Sequence, residues 1–386
     1  MTRVAAGLAT GPATVASSAD AAAQALAELE GDPVDLAFLF LTPQHLERAA
    51  DAAGAVREAM TPRCLLGCVA EGVIAREREV ETGPAVSVWA ASLPGAGIEA
   101  FHLTTLAEGE SLAAQGFPPL DDPALIALLV DPFTFPAGAL LALLDADHPG
   151  VPVVGGIATG GGQPGAQALI VDGEVHDRGA VGVTLAHVAV EAVVSQGCTP
   201  LGREAVITRA EGNVVQELAG KPALARLREI VGGLSPAERT LASKGLLAGL
   251  VIDENKPAYE RGDFLMRGIL GADEESGAIA IGEAVRVGQT LRFHARDAAS
   301  ADEDLRLVLE EHLGREHRPA AGALLFTCNG RGTNMFSEPD HDSRVVSSAL
   351  GRPALAGFFC GGEIGPVGGR SFLHGFTATM AVFREA

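Results

Sequence analysis

Aromatic anchors are scarce in this sequence: one Trp, one Tyr and 15 Phe among 386 residues. Base-stacking platforms and aromatic-rich binding patches depend on such side chains, so both are excluded as the main mode of recognition. Positive charge is short as well, with 28 Lys and Arg against 49 Asp and Glu and a formal net charge of −21. Nucleic acid and anionic membrane surfaces both call for basic stripes, and neither partner fits this balance. Cysteine is limited to Cys64, Cys68, Cys198, Cys328 and Cys360, an odd number in a large chain and not a disulfide framework. Long apolar runs are missing too. The most apolar region, residues 124–144, is cut by Asp131-Pro132 and Pro136, short of the ~20 apolar residues a membrane-spanning helix needs. Near the N-terminus, Gly11-Pro12 falls before any continuous apolar stretch, which makes a poor secretory signal. The expectation is a cytoplasmic, reduced protein.

Glycine and proline are plentiful, at 48 and 22 residues, and 47% of the chain is apolar. A large core is therefore available, and recognition is expected to run through backbone and small polar groups. The order of segments points to an internal duplication. VAAGLAT (Val4–Thr10), Ser18-Ala19-Asp20, a helical stretch to about Leu29, the strand DLAFLFLT (Asp35–Thr42), a helix from about His45 to Met60 and a loop from Gly67 follow one another. LRFHARD (Leu291–Asp297), Ser300-Ala301-Asp302, a helix to about Leu313, the strand ALLFTC (Ala323–Cys328), a helix near Asp342–Leu350 and a loop from Gly357 repeat that order. The offsets are 282 residues at the aspartates, 286 at the strand ends and 290 at the glycines, a drift that two loops of related units would accumulate. Both Ser-Ala-Asp triplets read as helix starts. A partial third copy lies between, from LIALLVD (Leu125–Asp131) to GGIATG (Gly155–Gly160). The loops GCVAEG (Gly67–Gly72), GGIATG and GFFCGG (Gly357–Gly362) share one form, and each is expected to precede a hairpin-like strand pair such as AVSVWAASL or TATMAVF. From Gly197 to Gly288 the pattern changes: a turn at Glu211-Gly212-Asn213, a helix over 223–231, and strands in 262–271 and 278–285. The expected fold is mixed α/β, two pseudo-equivalent halves of sheets flanked by helices, with domains 1–195 and 196–386.

The final 60 residues hold the densest polar cluster. TCNGRG (Thr327–Gly332) leaves the end of an apolar strand, where ligands commonly meet α/β sheets. Cys328 and Asn329 stand there, and Arg331 between two glycines can offer a two-point fork to a carboxylate or phosphate, or pair with a local acid. FFCGGEIGP adds Cys360, Gly361, Gly362 and Glu363: backbone N–H groups for an anion and a carboxylate for an amino group. His374 could lower the pKa of a nucleophilic Cys360; Ala70 and Ala158 at the equivalent loop positions favour a buried small thiol instead, and His374 a hydrogen-bonded place at a strand start. Cys64 and Cys68 lack CxxC spacing, EPDHD (Glu338–Asp342) reads better as a solvated loop than a cation site, and GGGQPG (Gly160–Gly165) lacks the Lys-Ser/Thr of a phosphate loop. No metal and no cofactor are implied.

At FFCGGEIGP, LHGFTATMAVF, GCTPLGREAVITRAEGNVVQEL (Gly197–Leu218) and GDFLMRGILG followed by LRFHARDA, the sequence resembles the FIST family. That family is an intracellular signal-transduction sensory domain of bacterial proteins and some eukaryotic F-box proteins. The resemblance spans nearly the whole chain as N-terminal and C-terminal FIST regions, and it implies sensing of small ligands, amino acids among them. Recognisable kinase, methyl-accepting, cyclase and F-box regions are missing, so the resemblance implies a stand-alone version; it transfers no catalytic residues. The expectation is a non-catalytic sensor of a small polar ligand, an amino acid or organic acid, acting on a signalling-protein partner. The alternatives are a protein-interaction scaffold and a thiol-dependent enzyme using Cys360.

Overall fold

Leu36–Leu41, Leu125–Val130 and Ala320–Cys328 are strands of the computed structural model, which describes residues 1–108, 111–120 and 122–385. Leu36–Leu41 and Leu125–Val130 are buried along their whole length, as continuous apolar runs are when both faces of a sheet are covered. Each of the three lies parallel to a strand that runs into a glycine loop: Cys64–Val69, Val153–Ile157 and Ala354–Cys360. A parallel pair needs a crossover, and helices supply it at Ala49–Met60, Ala137–Asp147 and His341–Ala349. Ala85–Ser92, Ala180–Ala186 and Ala378–Arg384 run antiparallel on the other side. Beside them lie Arg3–Thr10, Gly97–Glu108 and Val190–Ser195.

Three repeats of one strand order are therefore present. The mixed α/β class matches the expectation; the two halves become three repeats and an insertion. The partial copy at Leu125–Gly160 is a full repeat. The counterpart of the first strand is Val190–Ser195, whereas Thr290–Arg296, which contains LRFHARD, joins a different sheet. Order along the chain had aligned two segments that only resemble each other locally.

The hairpin after each glycine loop does not complete its own sheet. Val73–Ala75 pairs antiparallel with Ala354–Cys360, Leu169–Val171 with Cys64–Val69, and Glu363–Val367 with Val153–Ile157. Each repeat thus covers the open strand edge of a neighbour, in a closed cycle, where an exposed edge would invite aggregation. The expected hairpins at 85–93 and 377–383 are single strands instead. Side chains from all three sheets meet in one core, including Phe38, Trp89, Leu129, Val181, Phe326 and Phe383. Trp89 is fully buried there, with Phe383 at 4.8 Å and Phe38 at 5.9 Å edge-on. Helices Thr14–Leu29 and Ala49–Met60 cover the opposite face of the first sheet, and Ala137–Asp147 that of the second. The Ser-Ala-Asp triplets lie inside helices. Ala13 caps the first without a side-chain bond, and Asp297 accepts from the Ser300 backbone at the second.

This assembly is one unit, comprising Met1–Val194, Arg306–Leu373 and Thr377–Ala386; the second unit is Ser195–Leu305 with His374–Phe376. The second unit begins at Ser195, one residue before the break expected at 195/196, and the residues after 305 return to the first unit. Within the second unit, the long strand Cys198–Glu211 pairs with Thr290–Arg296 along one part and with Val214–Leu218 along another. The seven-stranded antiparallel sheet thereby closes on itself. Gly212 makes the expected turn at φ +56°, a left-handed conformation that glycine adopts without Cβ strain. Ala223–Gly233 and Phe264–Ala272 match the expected helix and strand; the other strand is shorter, Ile279–Ile281. No helix of the described residues is long and apolar enough to cross a membrane.

Candidate functional site

The three glycine loops converge. Gly67, Gly155 and Gly357 stand opposite Leu39, Leu128 and Leu325 in the parallel ladders, and a Cβ on any of them would run into that leucine's carbonyl oxygen. The first glycine of each loop is therefore required by close backbone approach. From there the loops bind one another. Gly160 N donates to Val69 O at 3.0 Å, Gly361 N to Ile157 O at 3.0 Å, Ile157 N to Gly362 O at 2.8 Å and Phe359 N to Gly72 O at 3.0 Å. Thr159 Oγ1 accepts from Glu71 N and donates to Phe359 O, both at 2.9 Å. Gly361 N is thus engaged with protein and not presented as an anion-binding nest.

Arg331 sits in the loop after Ala320–Cys328, held by its own N–H to Cys328 O at 2.8 Å. It does not project to solvent: its side chain is buried, with Nε to Asp342 Oδ2 at 2.7 Å and Nη2 to Asp342 Oδ1 at 2.8 Å. The local-acid alternative is the one observed, and the open fork is corrected. Asp342 also accepts from Thr327 Oγ1 at 2.7 Å and lies 2.9 Å from His341 Nδ1. Burial works against its charge, and the Arg331 guanidinium more than offsets this, holding the carboxyl well below the usual range. Arg331 Nη1 has no hydrogen-bond partner among the described residues.

Asn329 donates from Nδ2 to Glu71 Oε2 at 2.7 Å, and its N–H binds Cys360 O at 2.9 Å; its Oδ1 is buried without a partner among the described residues. Glu363 opens the strand that pairs with Gly156 and is fully buried. Its Oε2 accepts from Thr377 N at 3.0 Å and Thr377 Oγ1 at 2.9 Å, while Oε1 meets no nitrogen or oxygen partner among the described residues. Burial pushes its pKa from 4.5 up to about 8, against the opposing pull of the Thr377 bonds, the Cys328 thiol and the Arg331 charge. Sequence reading missed a second such group. Glu79, from the hairpin of the first repeat, accepts from Ser343 N at 2.7 Å, and burial with the Asp342 charge raises it to about 8. In the sequence it is one of three alternating acids, Glu77, Glu79 and Glu81, and nothing in that run separates the buried one from its neighbours.

Cys328 and Cys360 are register partners in the parallel ladder. Cys360 is fully buried, and burial pushes its thiol well above the ordinary value, the reverse of an activated nucleophile. Its sulfur occupies the space that a Cβ on Gly156 would need. His374 is buried in Arg370–His374 and belongs to the second unit, whereas Cys360 belongs to the first. Among the described residues no group of three or more His, Cys, Asp or Glu is placed to hold a metal.

These features define a repeat protein with a cyclically completed core and an inserted closed antiparallel sheet. Residues 35–221 match the FIST N domain and residues 223–366 the FIST C domain. The chain belongs to the FIST family, whose domains are signal-transduction sensory domains. The two matches meet near residue 222, inside the inserted unit, so neither is one compact unit by itself. Uncharacterized proteins of Mycobacterium tuberculosis and Mycobacterium bovis are each 47% identical over 383 residues, covering 99% of this chain and 99% and 98% of theirs.

Proposed function

We propose that this protein is a non-catalytic cytoplasmic sensor that binds a small polar ligand, an amino acid or organic acid, where the glycine loops converge. The observation that carries the reading is a set of buried polar atoms left without partners at that junction: Arg331 Nη1, Asn329 Oδ1 and Glu363 Oε1. Such atoms are rare in folded proteins and each calls for an explanation. Raised to about 8, Glu363 holds a proton at neutral pH, and with Oε2 accepting from Thr377 that proton lies on Oε1. Arg331 Nη1 and Glu363 Oε1 then offer donors to a carboxylate, and Asn329 Oδ1 accepts from an amino or hydroxyl group. The two-point bond to Asp342 stays intact in this reading, because only Nη1 is used. The thiols support a reducing compartment, since none of the five cysteines forms a disulfide. Ligand binding would alter affinity for a signalling-protein partner through unequal affinity for two conformations.

The buried, protonated Cys360 supports the non-catalytic reading over a thiol-dependent enzyme. A thermal-unfolding screen against amino acids and organic acids at about 10 mM tests the proposal, because binding to the folded state alone raises the midpoint. The expected result is stabilisation by one chemical class, reduced about tenfold in apparent affinity by Glu363→Gln. Stabilisation by none of the compounds, or stabilisation indifferent to Glu363→Gln, rejects it.

A further inference from the structure

The second unit contains a cavity of about 170 Å³ lined by Gln196, Tyr259, Phe264, Met266 and His294, among others. Gln196 is 4% exposed, and neither its amide oxygen nor its amide nitrogen has a hydrogen-bond partner among the described residues. Its backbone is not loose. Asp304 Oδ2 accepts from Gln196 N at 2.8 Å, from Ser195 Oγ at 2.7 Å and from Gly197 N at 3.2 Å. A firmly held segment thus keeps a whole primary amide buried and unsatisfied, which costs stability unless something completes it.

We infer that this cavity is a second ligand site, independent of the glycine-loop reading, and that it takes one neutral planar ring carrying adjacent hydrogen-bond donor and acceptor, the edge of a cyclic amide. Size supports a single ring, since an apolar cavity of about 150 Å³ accommodates benzene. Phe264 and Met266 supply apolar walls, and the Gln196 amide matches a lactam edge donor to acceptor and acceptor to donor. A neutral ligand fits because the buried lining groups Gln196 and His294 carry no charge, Arg261 is paired and Arg292 Nε donates to Gly202 O at 3.1 Å. Arg261 pairs with Glu303 at 3.0 Å and Asp304 at 3.5 Å. His294 Nδ1 lies 3.0 Å from Arg292 O, and burial lowers the imidazole pKa to about 4, so the ring is uncharged near neutral pH. Its Nε2 is then an acceptor.

Tyr259 is the chain's one tyrosine, so tyrosine-selective isotope labelling of the full chain places a single NMR reporter in the cavity wall. The probe is 2-pyridone, with toluene as a ring of similar size lacking the polar edge. Saturable movement of the Tyr259 resonance by 2-pyridone, with toluene binding about tenfold more weakly, is the expected result. Gln196→Met should weaken 2-pyridone about tenfold, abolish its preference over toluene, and leave the unliganded chain as stable as the parent or more so. Should that variant fail to fold, the preference of the unsubstituted chain decides alone. No movement at about 20 mM 2-pyridone, equal binding of the two rings, or unchanged 2-pyridone affinity in Gln196→Met overturns the site. A cavity serving only to hold water would give the first of these.

Discussion

Arg331 and Asp342 are joined by two hydrogen bonds, and their side chains are 0% and 1% exposed. The pair ties the loop after one central strand to the first turn of helix His341–Ala349. Two charges out of water are stable only while each has the other. Arg331→Ala or Asp342→Ala should therefore lower stability by about 3–5 kcal/mol in urea unfolding. Replacing both residues with apolar side chains of similar volume should recover much of that loss.

Glu363 gives stability a pH dependence of defined sign. Its pKa rises from 4.5 to about 8 on folding, so between those values the folded chain holds a proton that the unfolded chain has lost. Unfolding free energy then falls as pH rises through this window, with the contribution fully present below 4.5 and gone above about 8. Glu79, also raised to about 8, acts in the same direction. Denaturation midpoints measured from pH 5 to 8 should decline, and Glu363→Gln should flatten part of that decline. An unchanged slope in the variant would refute the assignment.

Gly156 and Cys360 compete for one volume. A methyl group at Gly156 has nowhere to go, and overpacking of this kind costs about 1–3 kcal/mol. Cys360→Ala removes the sulfur and leaves room for that methyl. In a double-mutant cycle, Gly156→Ala should be less costly in the Cys360→Ala background than alone. Strict additivity would show that the two sites do not share the space.

The cyclic exchange of hairpins makes the repeats interdependent. A fragment of residues 1–194 retains the pairing of Leu169–Val171 with Cys64–Val69 but loses those made by Ala354–Cys360 and Glu363–Val367. It should lack a cooperative urea transition and aggregate through its open strand edges. Trp89, whose Nε1 lies 3.3 Å from Ala354 O, should emit at longer wavelength in the fragment than in the whole chain.

Much of the architecture was legible because local patterns carry it. Uninterrupted runs such as LAFLFL announce buried strands, and the first glycine of each loop is demanded by a backbone contact within its own repeat. The 286-residue offset at the strand ends matches the register, with Leu39 opposite Gly67 and Leu325 opposite Gly357. The polar cluster was legible only as a list of residue types. That Arg331 turns inward to Asp342 depends on a helix eleven residues further on, and nothing in the spacing separates that fold-back from an outward fork.

By itself, the sequence determined the mixed α/β class, the repeated strand–helix–strand order and the glycines at the loop starts, because each follows from short-range sterics and periodicity. Tertiary structure alone decided that there are three repeats, that Thr290–Arg296 belongs to another sheet, and that each hairpin completes a neighbour. It also decided which carboxyls lose water and so keep their protons. Partner choice across a sheet edge joins strands far apart in the chain, and the burial of a carboxyl depends on the whole packed core around it, so no local pattern encodes either.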